Sequence, residues 1–303
     1  MNNIAGDVLP FSQQVKKELS SAIPQCFDCS LYEIYGMLLF SKGFYEENIS
    51  FTTEHKPLTD RYVDNLMQFT GAIVEIKYIL GRYRQGAKIY VATIRDRDDC
   101  DNIRTRFPND LDSSIIKNDC CKPAFLRGAF MACGSVTNPE KEYHLEFSPT
   151  TTKLADMLCK LCLDLGIILK VSKRNNSTLL YLKESEKIED ILTLMGAGHS
   201  SLSLMDVKVI KDVRNKINRK TNCETANLSK TVVASAEQIR NIKIIKSKKG
   251  LGFLSDELRE VAQKRLDNPE VSLRELGRLC SPILSRSGIN HRLERINNIA
   301  KDL

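Results

Sequence analysis

Hydrophobic and polar positions follow two periods along this chain, and the order in which the periods alternate occurs twice. Residues 31–42 carry apolar side chains at helical spacing and stop at Gly43, and the run Ile49-Ser50-Phe51-Thr52-Thr53 has the make-up of a strand. Leu58 to Phe69 is helical again. Gly71 then leads into Ala72-Ile73-Val74-Glu75-Ile76, and a strand from Lys88 to Ile94 closes the unit. Downstream the order returns. A helix over 123–133 ends at Gly134, and a strand Tyr143–Phe147 and a helix Thr151–Leu165 follow. Gly166, the segment Ile167–Val171 and a strand Thr178–Leu182 complete the second unit. Gly43 and Gly134 are 91 positions apart, Phe51 and Phe147 are 96, and Gly71 and Gly166 are 95. Offsets this constant predict a duplicated α/β unit spanning 1–207, with pseudo-symmetric halves of about 1–115 and 116–207.

The helix opening each half has small residues on one side: Gly128, Ala129 and Ala132 in the second, Gly36 and Ser41 in the first. Small side chains let helix backbones approach closely, so the two helices are expected to form the seam between the halves. Gly43 and Gly134 are expected to be left-handed residues just past a helix end.

The last fifty residues predict three helices. Ser255 is placed to cap 256–266, with Leu258, Val261 and Leu266 facing inward, and Pro269 follows. Ser272-Leu273-Arg274-Glu275 is a capping-box pattern opening a short helix to Leu279. Cys280–Leu284 turns the chain, and Ser285 caps a last helix whose apolar stripe is Ile289, Leu293, Ile296 and Ile299. Ser287, His291, Glu294 and Arg295 point the other way, flanked by Arg286, Asn290 and Arg292. This is the layout of a helix-turn-helix, and Arg and Asn are the side chains that fit guanine and adenine edges in a major groove.

Charge sharpens the division. The chain carries +7 overall, but residues 208–303 hold 21 Lys and Arg against 11 Asp and Glu, whereas residues 1–207 hold 24 against 27. Residues 208–250 read as a basic helical linker ahead of a helix-turn-helix at 251–303. Arg214, Asn218, Arg219, Lys220, Asn222 and Lys230 are its candidates for contacting a polyanion. No apolar run approaches the roughly 18 residues of a membrane span, and the N-terminus lacks a signal-peptide pattern, so a cytoplasmic, nucleoid-associated protein is expected. Ten cysteines include Cys26-x-x-Cys29, Cys159-x-x-Cys162 and adjacent Cys120-Cys121. No histidine lies near any pair and Cys159 and Cys162 fall in a helical core pattern, so neither a metal site nor a cofactor is expected.

The two seam helices resemble the LAGLIDADG helix of homing endonucleases, which packs in this way beneath saddle-shaped antiparallel sheets. That resemblance implies acidic residues at the helix ends, and here the matching positions are Phe40 and Lys42, then Met131 and Cys133. None offers the hard oxygen that Mg²⁺ requires. The repeat, the linker "NRKTNCETANLSKT", the stretches "CCKPAFLRGAF" and "GSVTNPEKEYHLEF", and the terminal "SRSGINHRL" together resemble the WhiA family of bacterial regulators. The resemblance implies an α+β LAGLIDADG-like domain followed by an all-α helix-turn-helix. It also implies sequence-specific binding of double-stranded DNA, with roles in transcription and sporulation control in actinobacteria. In other Gram-positive bacteria it implies cell division and chromosome segregation. Another regulator or RNA polymerase is a candidate protein partner. Two alternatives remain open at this level: a divergent endonuclease using carboxylates outside the motif, such as Glu33 or Asp119, and a protein-interaction module in which DNA binding is incidental.

Overall fold

The computed structural model describes residues 9–80, 88–108, 116, 118–174 and 177–303. Its elements run α1 (Phe11–Ser20), α2 (Phe27–Phe40), β1 (Ile49–Thr53), α3 (Lys56–Thr70), β2 (Glu75–Leu80), β3 (Lys88–Ile94) and α4 (Arg97–Arg106). The second half follows with α5 (Cys121–Cys133), β4 (Gly134–Val136), β5 (Leu145–Phe147), α6 (Thr152–Asp164), β6 (Lys170–Arg174), β7 (Ser177–Leu182) and α7 (Ser185–Met195). After these come α8 (Gly198–Lys248), α9 (Asp256–Asp267), α10 (Leu273–Arg278) and α11 (Arg286–Lys301). The chain forms two compact units, Met1–Lys211 and Asp212–Leu303.

In the first unit α2 and α5 form the seam. A Cβ on Gly36 would overlap the Phe125 carbonyl oxygen, and one on Gly128 would overlap that of Glu33. The small residues are therefore what bring the backbones together. Each half lays an antiparallel sheet over the seam, in the orders β1-β3-β2 and β4-β5-β7-β6. Equivalent registers pair Phe51 with Ala92 and Phe147 with Leu180. Strand alternation then turns Ile49, Phe51, Leu145 and Phe147 into one core with Leu38, Phe125 and Phe130. Gly71 (φ 72°) and Gly166 (φ 78°) end α3 and precede β6 in the left-handed region.

Several expectations are corrected. Gly43 and Gly134 are not left-handed: Gly134 is extended and opens β4, paired to Phe147, and Gly43 makes the matching bridge to Ser50. There is no room for a side chain at either glycine: Gly43 is against Ser50 and Gly134 against Phe130. Strands β2 and β6 begin about three residues later than the apolar runs, because Ala72, Ile167 and Leu169 plug the core instead of pairing. Helices α1, α4 and α7 had no counterpart in the sequence pattern; α1 is held by buried Phe11, Val15 and Leu19.

In the second unit, Ile242 and Ile245 of α8 join Leu258, Val261, Leu276, Ile289, Leu293 and Ile296 in a separate core. The end of the segment read as a linker, 208–250, is thus part of the domain it was expected to tether. Leu266 and Ile299 are only partly buried at its edge. Ser272 and Glu275 make the full capping box, and Ser285 accepts from the Gly288 amide at 3.1 Å. Ser255 occupies the N-cap position of α9 without a side-chain bond.

Candidate nucleic-acid interface

The angle between α10 and α11 is set by a close approach. A Cβ on Gly277 would overlap the Leu284 carbonyl oxygen, and the Leu284 amide donates to the Gly277 carbonyl at 2.9 Å. With Ile289, Leu293 and Ile296 buried, the far side of α11 exposes Arg286, Ser287, Asn290, His291, Glu294 and Arg295. Asn290 Nδ2 donates to Glu294 Oε1 at 2.7 Å, one turn away.

Arg292 does not belong to that face. Its side chain is 19% exposed and its guanidinium meets the Glu257 carboxylate of α9 at 3.1 Å. The i+3 step from Ile289 turns it towards α9, so its charge ties α11 to its neighbour.

A groove of about 530 Å³ joins three elements of this unit. Lys230 and Asn227 come from α8, Arg274 from the first turn of α10, and Arg286 and Asn290 from the first two turns of α11. Beneath them lies Arg265, 1% exposed, whose Nη1 donates to the Val271 carbonyl at 2.8 Å and holds the loop before α10. Burial lowers the pKa of that guanidinium. Arg274 was missed in the sequence; the signal was its place inside the capping box, at the amide-rich start of a helix.

Every residue of 212–230 is exposed. At about 100° per residue, Lys216, Arg219, Cys223 and Asn227 fall within ~60° of Lys230 on α8, forming a stripe that leads into the groove. Lys220 and Asn222 flank it by about 80°, Asn218 is about 120° away, and Arg214 is on the opposite side at about 160°. The linker residues singled out from sequence therefore do not share one face.

In the first unit, the carboxyl-terminal ends of α2 and α5 converge on a cavity of about 310 Å³ lined by Ser41, Lys42, Ser50, Cys133 and Ser148. Phe40 and Met131 are buried, at 1% exposure each. Burial pushes the Cys133 thiol up to about 12, so it stays protonated near neutrality. Lys16 Nζ donates to the Met131 carbonyl at 3.1 Å, and burial brings its pKa down to about 8. The cavity offers an amine, a thiol and hydroxyls where the homing-endonuclease arrangement needs carboxylates. Glu33, one of the alternative carboxylates, is fully buried and engaged by Arg61, Asn65 and Arg127. Asp119 is an exposed turn residue beside Cys120. At the opposite, amino-terminal ends of the same two helices, the thiols of Cys26, Cys29, Cys120 and Cys121 lie within 4.8 Å of one another. The lack of a nearby histidine therefore does not exclude a metal, because the fold joins two pairs that the sequence separates.

Residues 122–214 match the WhiA LAGLIDADG-like domain and residues 217–300 match the WhiA C-terminal HTH domain. Over 286 residues the chain is 38% identical to the "Probable cell division protein WhiA" of Clostridium botulinum, covering 90% of each chain. It is 35% identical to the protein of the same description from Thermoanaerobacter pseudethanolicus, covering 97% of this chain and 98% of that one. Among solved structures, full-length DUF199/WhiA from Thermatoga maritima superposes with a TM-score of 0.60 at 26% identity, covering 97% and 99%.

Proposed function

The chain belongs to the WhiA family, and from that premise we propose that it is a sequence-specific double-stranded DNA-binding regulator serving cell division, with no nuclease activity. In this proposal α11 lies in a major groove and Arg286, Ser287, Asn290, His291 and Arg295 meet base edges. Lys230, Arg274 and Arg219 neutralise adjacent phosphates, while Asn218, Lys220, Asn222 and Arg214 give weaker backbone contacts. Control of transcription and chromosome segregation, a nucleoid location in the cytoplasm, and docking of another regulator or RNA polymerase belong to the same proposal.

The observation that carries it is the groove of the second unit, where Lys230, Arg274, Arg286 and Asn290 converge from three helices. Three neighbouring cations, two of them in the first turn of a helix, and an amide side chain fit a phosphate beside a base pair. The nuclease alternative is disfavoured by Glu33, whose carboxylate is held by two guanidinium groups, and by the absence of a carboxylate among the described residues lining the motif cavity.

The test starts from duplexes selected out of a random double-stranded pool by the full chain. Band-shift affinity for the enriched duplex should fall by about 0.9 log units per neutralised phosphate for each log unit of salt. Supercoiled plasmid with Mg²⁺ or Mn²⁺ should stay intact. No enrichment, a flat salt response, or nicking that Glu33→Gln abolishes would sink the proposal.

A further inference from the structure

Cys26 is the N-cap residue of α2 and Cys29 lies in its first turn; Cys120 is the N-cap of α5 and Cys121 its first residue. Because α2 and α5 pack along each other as the seam, their amino-terminal ends bring together thiols more than ninety residues apart. The Cys26 sulfur is 3.4 Å from that of Cys29, 3.5 Å from Cys120 and 3.7 Å from Cys121, and the Cys29 and Cys121 sulfurs are 3.9 Å apart. We propose that these four thiols bind one Zn²⁺ as a closed tetrathiolate centre that ties the two halves of the repeat together. This rests on the first unit alone and is independent of the DNA-binding proposal.

The spacing separates a single tetrahedral ion from a disulfide and from a multi-iron cluster. A tetrahedral ion with bonds of about 2.3 Å to sulfur places its ligands about 3.8 Å apart; the four separations above, 3.4 to 3.9 Å, lie around that value, and all four sulfurs are within 4.8 Å of one another. A disulfide needs its sulfurs at about 2.05 Å. An iron–sulfur cluster distributes its thiolates over separate irons, which spreads them further apart. Soft thiolates select zinc over magnesium or calcium.

Binding converts four thiols to thiolates and releases four protons, leaving a net charge of −2 on the centre. Both helices point the positive ends of their dipoles at that charge. Cys29 and Cys121 are buried at 1% and 0% exposure, while Cys26 and Cys120 are half-buried and leave an entry route. Four protein ligands with no open position make the centre structural. Cys159 and Cys162 share one helix, with Cys162 in the core, and they supply the internal control.

The full chain, purified in reducing buffer with its tag removed, should contain about one zinc per chain by mass-spectrometric metal analysis. Cys26→Ser and Cys121→Ser should each lose most of it, and Cys159→Ser should keep it. Cys121 is buried, so its variant can misfold. Titration of metal-stripped wild type with Co²⁺ gives a second measurement. Tetrahedral ligand-field bands and thiolate-to-cobalt charge transfer should saturate at about one equivalent, and removing zinc should lower the thermal midpoint. Wild type that holds only trace zinc after refolding with the metal would overturn the proposal. So would a cobalt spectrum of octahedral type, or a disulfide at Cys26 or Cys120 with all zinc absent.

Discussion

Arg127, on the seam helix of the second half, donates from Nε to the Glu33 carboxylate of the first half at 2.6 Å, and neither residue is more than 6% exposed. Arg61 and Asn65 of α3 complete the coordination of Glu33, and Arg127 Nη1 also donates to the Met195 carbonyl at 3.0 Å. One carboxylate thus joins α2, α3 and α5. A buried charge network of this kind is destabilising to break, because the partner left behind keeps its desolvation penalty.

Glu33→Ala should cost about 3–5 kcal/mol of stability in urea unfolding, since it strands two guanidinium groups. Glu33→Gln, which keeps part of the hydrogen bonding, should cost less. An alanine variant as stable as wild type would show that the network contributes nothing.

Gly36→Ala and Gly128→Ala should each lower stability by at least about 1–3 kcal/mol, because the added methyl meets backbone that cannot move aside. Gly198→Ala is the control: nothing among the described residues lies within 4 Å of its Cβ position. It should leave the thermal midpoint nearly unchanged or raise it.

Arg286→Ala and Arg295→Ala should each weaken binding to a selected duplex by about 1–3 kcal/mol if they contact base edges. Lys230→Ala should instead flatten the salt slope by about 0.9, with little change in sequence preference. Arg292→Ala should have the smallest effect on affinity, since its guanidinium is engaged with Glu257. Band shifts over a salt series separate the three, and a dominant loss at Arg292 would reverse the assignment of faces.

Lys16 has its pKa brought from 10.5 down to about 8 by burial. Between those values the unfolded chain holds a proton that the folded chain has released, so folding is favoured increasingly as pH rises. The stability of wild type relative to Lys16→Met should therefore climb from about pH 8 towards pH 10.5, and be least favourable below pH 8. Paired urea titrations across that range check the sign; a constant difference would place the amine in water.

Local pattern carried much of the architecture. Strands β1 and β3 begin and end where the apolar alternation does, and Gly71 and Gly166 are left-handed for the reason a helix end before a strand requires. In the second unit, the Ser272–Glu275 box and the Ser285 cap are short-range hydrogen-bonding patterns, legible because their partners are three residues apart. Helix α1 was not legible. Its three buried apolar residues acquire a core to face only after the seam has formed.

Periodicity, repeat spacing and capping chemistry are properties of neighbouring residues, and from them the amino-acid order alone determined two α/β halves, a glycine-lined seam and a terminal helix-turn-helix. Tertiary structure alone decided which charged groups are available. It turned Arg292 to Glu257, enclosed Glu33 between two arginines, gathered Lys230 and Arg274 beside Arg286, and joined Cys26 and Cys29 to Cys120 and Cys121. These pairings link positions up to 95 residues apart, and such distances are set by how helices pack, which no local window of the chain contains.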